Sequence, residues 1–191
     1  MDTRRLDAQL AFLTEADRLK SVTRASTLTD QSRAENTAEH SWQAALAALI
    51  FLPGLAPDRL DRILAMLLLH DLVEIDAGDQ PIDLPHDADA LARAEQAAAA
   101  RLFALLPGDQ GAEFHTLWSE FEANRTADAR LAKSIDYAVP VIQVWAASPR
   151  RADHEKVARD NCATGRARLI EQTLPDLFSH LASELAGADP V

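Results

Sequence analysis

The chain has 191 residues, 48% of them hydrophobic, enough for one domain with a true core. Its formal charge of −11 argues against polymeric nucleic acid as a partner, since that binding rests on neutralising phosphates, although a few local arginines can hold one small phosphate. No stretch reaches the roughly 18 apolar residues of a membrane span. Met1-Asp2-Thr3-Arg4-Arg5-Leu6 has no apolar segment behind it to make a signal peptide, and Cys162 is the only cysteine, so a cytoplasmic location is expected.

Strand signals are scarce, with aromatic residues at 5% and Ala, Leu and Glu abundant. Leu6 opens a first amphipathic helix that runs to about Lys20, and residues 21–35 read as polar and irregular. Asn36 with Glu39 forms a capping-box pattern, starting a helix that carries His40, Trp42, Leu46, Leu49 and Ile50 and stops at Pro53-Gly54. Pro57 starts the next helix, which contains Ile63–Leu69 and passes His70-Asp71 before Gly78 breaks it. A loop with two prolines, Pro81 and Pro85, leads to an Ala-rich helix over 87–106, read as a tightly packed helix or a dimer face. Helices over 109–124 and 127–147 follow, the second capped by Thr126. Residues 148–161 are charged, and a final helix spans about 164–185. Trp42, Trp118 and Trp145 fall at core-like positions. The fold class is all-α, a single domain over 1–191.

The run Ile63-Leu64-Ala65-Met66-Leu67-Leu68-Leu69 is apolar all round and reads as a buried helix. Such a helix should not end in an imidazole and a carboxylate unless something pairs them, and a metal ion satisfies both His70 and Asp71 at once. Glu74 follows one turn on, about 40° round the helix, and can share their pocket. The competing reading is a helix emerging into solvent with ordinary polar residues. Asp136 sits on the edge of an apolar stripe over residues 131–142, and Pro140 predicts a kink or widened turn there, because its ring clashes with the carbonyl of Asp136. A surface aspartate beside a core stripe is equally compatible with that pattern.

The ordered set His40, His70-Asp71 and Asp136 resembles the HD-domain metal-dependent phosphohydrolases, and within them the 5′-deoxynucleotidase-like branch. The likeness extends to Arg18-Leu19-Lys20 with Arg24, to Arg33-Ala34-Glu35-Asn36-Thr37-Ala38-Glu39-His40-Ser41, to His70-Asp71-Leu72-Val73-Glu74 with Gly78-Asp79, and to Ala132-Lys133-Ser134-Ile135-Asp136. It covers about residues 6–147, leaving a C-terminal helical extension over about 148–187. The resemblance implies an HD-domain helical bundle in which His40, His70, Asp71 and Asp136 hold one divalent ion, whether Mn, Co, Fe, Ni, Zn or Mg. It implies that Glu74 and Asp79 orient or activate water and assist the leaving group, and that Arg24 and Arg33 lie near the phosphate. The implied activity is hydrolysis of a small phosphomonoester, a nucleoside or deoxynucleoside 5′-monophosphate, by a homodimer.

Two departures stand out. The family's nucleotidases place tryptophan after the arginine matching Arg24, where this chain has Ala25. The usual residues after the last aspartate are replaced by Tyr137-Ala138-Val139-Pro140. Two other readings follow from the same residues. One is a dimetal HD oxygenase or phosphodiesterase using His86 or His115; the other is a non-catalytic, metal-stabilised helical binding protein. His154 and His180 read as surface residues, and Arg150-Arg151 as a solvated pair.

Overall fold

The computed structural model describes residues 3–81, 85 and 87–186. Helix α1 (Thr3–Ala16) turns Phe12 inward and leaves Leu10 and Leu13 exposed. It is shorter than the sequence suggests, because the chain tightens into a 3-10 turn over Asp17–Ser21 that buries Leu19.

Residues 21–35 are not irregular. Strands β1 (Thr23–Thr27) and β2 (Ala34–Asn36) form an antiparallel hairpin, an exception to the all-α expectation. Thr23-Arg24-Ala25-Ser26-Thr27 has no apolar face, so no hydrophobic alternation marks it as a strand. Asn36 ends β2 and also caps α2 (Thr37–Phe51): its side chain accepts from the Glu39 N–H, and the Glu39 carboxylate accepts from the Asn36 N–H. This reciprocal cap welds hairpin to helix and sets His40 one turn inside it. Helix α2 buries His40, Ala44 and Ala48. Trp42 lies about 200° round from Ala44. It is 64% exposed, an outward residue and not a core one. Trp145 is 36% exposed, whereas Trp118 is buried as expected.

Helix α3 (Pro57–Leu69) buries Ile63, Met66 and Leu67, although Leu68 faces outward. The expected continuous helix through His70-Asp71 is instead three pieces. The chain narrows to a 3-10 turn over His70–Val73, widens again into the short α4 (Glu74–Ala77), and stops at Gly78. The narrowing matters because a 3-10 turn has three residues per turn, so positions three apart, such as Asp71 and Glu74, eclipse.

Helices α5 (Ala88–Phe103), α6 (Gly108–Ala123) and α7 (Ala127–Ala146) follow. Ala98 and Ala99 of the Ala-rich helix are buried in this chain's own core. Thr126 caps α7 by accepting from the Ala129 N–H, and α7 continues through Pro140 as one α-helix. It is the central element, packed on α2, α3 and α6 through Ala132, Ile135, Ala138 and Val139. Charged residues 152–163 form α8 (Ala152–Ala163). The expected last helix is split into α9 (Gly165–Thr173) and α10 (Pro175–Ala186), since Pro175 disfavours helical geometry at Leu174. Both α8 and α9 lean on α7.

Gly78 holds φ 74° and ψ 156°, a region essentially closed to side-chain-bearing residues. Gly78→Ala should therefore destabilise the fold by about 1–3 kcal/mol. A thermal melt should show this as a loss of about 2–4 °C per kcal/mol; an unchanged melting temperature would refute the strain.

Candidate metal centre

Three separate elements bring the four expected ligands together. His40 comes from α2, His70 and Asp71 from the 3-10 turn, and Asp136 from α7. Ligand atoms of His40, His70 and Asp71 lie within 4.8 Å of one another. Asp136 Oδ1 completes the group, 2.9 Å from His40 Nε2 and 3.5 Å from His70 Nε2. Asp71 Oδ2 lies 3.1 Å from His70 Nε2 and 3.9 Å from His40 Nε2.

His70 is held for this purpose by its own backbone. Its Nδ1–H donates to the Leu67 carbonyl at 2.8 Å, which leaves Nε2 as the nitrogen directed at the cluster, where a proton or a cation can sit. Phe121 packs on the imidazole with ring centroids 4.8 Å apart, and Trp118 Nε1–H donates to the His70 carbonyl at 3.2 Å. His70 Nε2 is buried without a hydrogen-bond partner. An orphaned imidazole nitrogen among carboxylates suits a divalent cation, and the mixed nitrogen and oxygen donors suit first-row metals.

Arg24 on β1 reaches into the same pocket. Its Nη1 lies 3.1 Å from Asp71 Oδ2, 3.4 Å from Asp79 Oδ1 and 3.8 Å from Glu74 Oε1. Glu74 is steadied by Thr37, whose hydroxyl donates to Glu74 Oε2 at 2.8 Å. Asp79, placed by the Gly78 turn, accepts from the Ala25 N–H. Arg33 does not join them. It is half-exposed and forms a bidentate pair with Glu39 at 2.5–2.8 Å, which anchors it to the helix cap outside the pocket. Arg33, expected near the phosphate, is held by the capping glutamate and does not line the cavity that opens from this cluster.

The pocket's charge is lopsided, and protonation responds. Burial opposes ionisation of Asp136 and Asp71, yet hydrogen bonds and charge from His40 and His70 hold the Asp136 carboxyl well below the usual carboxylate range. His70, with some help from Arg24, also holds Asp71 low. Burial opposes the charged form of His70, but Asp71 and Asp136 outweigh it and raise its pKa well above the ordinary histidine value. Burial, and then the charge of Asp71, push the Glu74 carboxyl up to about 8. Asp79 is raised by burial too, against the pull of Arg24.

A cavity of about 430 Å³ opens from this cluster. Arg24, Asp71, Glu74, Asp79 and Asp136 line its inner end, and Val141, Val144 and Val157 form an apolar wall between α7 and α8. Tyr137, one of the departing residues, lines it with Arg166 stacked 5.0 Å from its ring centre. His154 and Arg151 line it as well, His154 lying 3.4 Å from Thr27 Oγ1, so neither is a plain surface residue. No sequence signal pointed to them, because α8 is placed on the cavity only by packing. His115 is not in the metal group. Its Nδ1 lies 3.3 Å from Ser119 Oγ within α6, and its ring packs on Phe103 and Trp118. His86 lies outside the described residues.

An HD-domain family model matches residues 16–178, and the chain belongs to the HD-domain family. A protein from Magnetospirillum magnetotacticum MS-1, described as a predicted metal-dependent phosphohydrolase, is 38% identical and superposes with a TM-score of 0.77, covering 96% of this chain and 94% of that one. Human 5′-deoxynucleotidase HDDC2 is 31% identical over 139 residues, which make up 70% of this chain and 65% of the human protein. The chain thus spans just under two thirds of that relative's length. The cyanophage S-2L HD phosphohydrolase DatZ, solved with dA and one catalytic Zn²⁺ ion, shares the fold at 23% identity and a TM-score of 0.54, with 91% of each chain covered. Among the described residues, no helix is long and apolar enough to cross a membrane.

The raised Glu74 carboxyl has a thermodynamic sign. Without metal the folded state keeps a proton on Glu74 that the unfolded chain, with a carboxyl near 4.5, has lost. This group therefore makes folding less favourable as pH rises from about 5 to about 8. In the presence of chelator, Glu74→Gln should raise the melting temperature relative to wild type at about pH 8 and not at about pH 5. An equal difference at both would show that Glu74 titrates normally.

Proposed function

We propose that the protein is a divalent-metal-dependent phosphohydrolase acting on a small phosphomonoester, with nucleoside or deoxynucleoside 5′-monophosphates as its substrate class. The observation that carries this reading is the buried His70 Nε2, without a hydrogen-bond partner, facing Asp71, Asp136 and His40 at a cavity that Arg24 also lines. In it, His40, His70, Asp71 and Asp136 hold the ion. When bound, that ion offsets charge on phosphoryl oxygens and acidifies water.

The remaining chemistry belongs to side chains. The Arg24 guanidinium binds phosphate oxygens, for which its planar fork is suited. Glu74, held by Thr37, orients the attacking water and accepts its proton. Water attacks phosphorus in line, and the bond from phosphorus to the ester oxygen breaks. Asp79, raised by burial, supplies a proton to the departing oxygen, so the products are inorganic phosphate and an alcohol. Val141, Val144 and Val157 give an apolar wall for the organic part of the substrate, and Thr27 and His154 give it polar edges. The human relative's name, 5′-deoxynucleotidase, and the deoxyadenosine bound to DatZ support a nucleoside in that place. Ala25 supplies no ring to stack on it, so α7 and α8 furnish the contacts.

The reading includes a cytoplasmic homodimer, for which the outward stripe Trp42, Leu46, Leu49 and Ile50 of α2 offers an apolar face.

The test is a phosphoester panel with ribo- and deoxynucleotides, assayed against Mn, Co, Fe, Ni, Zn and Mg. Wild type should release phosphate from 5′-monophosphates with at least one of these ions. Asp71→Ala should lose bound metal and reduce turnover by more than about 10²-fold, the scale on which one charge-stabilising group acts. Unchanged metal content and turnover in that variant would overturn the proposal.

A further inference from the structure

Glu35 on β2 is 1% exposed, deeper than any carboxylate that lines the cavity. A buried carboxylate is costly unless it is fully bonded. One oxygen is satisfied: Glu35 Oε2 accepts from Gln143 Nε2 on α7 at 2.6 Å. The other, Oε1, is buried without a hydrogen-bond partner. So are His40 Nδ1 and Arg24 Nε, and these two nitrogens are its neighbours, at 3.7 Å and 3.4 Å. The three orphans have complementary needs. One carboxylate oxygen has two lone pairs, and the imidazole N–H and the guanidinium N–H are two donors. Both nitrogens therefore stand beside a buried acceptor that still has capacity for them.

Geometry gives this triangle a purpose, which rests on the proposed metal site. His40 turns Nε2 toward Asp136 and Asp71, so Nε2 is its ligating atom and Nδ1 must carry the proton. Glu35 Oε1 is the carboxylate oxygen beside that proton. Arg24 is gripped at both ends: Nη1 meets Asp71, Glu74 and Asp79, and Nε meets Glu35. A cation on Asp71 weakens the grip at Nη1, while Nε keeps its anchor.

We propose that Glu35 is a positioning residue that ties the metal cradle to the phosphate-binding arginine, fixing the His40 tautomer through Nδ1 and the Arg24 guanidinium through Nε, with Gln143 clamping it from α7. It touches neither ion nor substrate. Its effect is to present two groups, on different elements, in the protonation and orientation that each needs.

The test uses the full chain and reads binding as well as turnover. Glu35→Gln is nearly isosteric and can still accept from Gln143, but it sets an amide donor opposite His40 Nδ1 and Arg24 Nε. Mn²⁺ affinity, measured by titration, should fall about 10–100-fold, the usual effect of losing the carboxylate behind a ligating histidine. Inorganic phosphate should bind the Mn²⁺-saturated variant more weakly than it binds wild type. The melting temperature of the metal-free variant should match or exceed that of wild type, because a buried charge has gone. A merely structural role predicts the reverse: a lower melting temperature and an unchanged Mn²⁺ affinity. That result overturns the proposal. If Glu35→Gln fails to fold, Glu35→Asp carries the test. It keeps the charge one methylene short, and an intermediate Mn²⁺ affinity supports the proposal, while wild-type affinity overturns it. If wild type binds neither Mn²⁺ nor any other ion of the panel, the metal site itself fails, and this inference with it.

Discussion

Five carboxyl groups, those of Glu35, Asp71, Glu74, Asp79 and Asp136, converge on one guanidinium and two imidazoles in a largely buried space. Everything around the cavity is arranged to tolerate that excess of negative charge. Arg24 alone touches four of the five, and it is drawn to Asp71 as though standing in for a cation. Glu74 responds by holding its proton to about pH 8, and His70 by holding one against its burial. Such a cluster is stable only with protons or a cation in it, and that requirement links the fold to the proposed chemistry.

Rigid parts meet at that point. The capping box at Asn36 locks β2 to α2, so Glu35 and His40, five residues apart, face one another across the cap. The 3-10 turn after α3 stacks Asp71 with Glu74, and both face Arg24. Gly78 then turns the chain so that Asp79 returns to the same guanidinium. Helix α7 brings Asp136 and Gln143, two turns apart, to opposite sides of the cluster. These side chains are presented by regular elements or by tight turns between them, which suits a site whose donors must hold sub-ångström positions.

The cavity's outer half is built differently. Its walls come from α7 and α8, and its polar edges from the hairpin and the start of α8. Ala25 on β1 serves Asp79 through its backbone, and its side chain adds no ring to the cavity. In the proposed reading, phosphate cleavage and the choice of organic group thus fall to separate parts of the chain.

The sequence by itself carried the candidate donors and their order, through the His70-Asp71 anomaly and the resemblance to the HD-domain pattern. His70-Asp71 is legible because a histidine and an aspartate closing an apolar helix conflict with burial, whereas His40 and Asp136 are picked out only by resemblance to the family's ordered pattern; the capping box marks one helix start by local hydrogen bonding and Pro57 another by its fixed φ. It also carried the helical class, since periodicity within one or two turns encodes a buried face. What only the tertiary structure decided depends on distant neighbours. Arg24 enters the cluster because β1 pairs with β2, while Arg33, of the same charge, is taken by Glu39 outside it. Trp42 faces outward because small alanines occupy the packed side of α2. Glu35 looked like one more polar residue in an irregular stretch, and it became a buried hub only when α7 brought Gln143 against it. Periodicity records which face of an element is buried; which charged groups share a pocket is settled by how those faces pack.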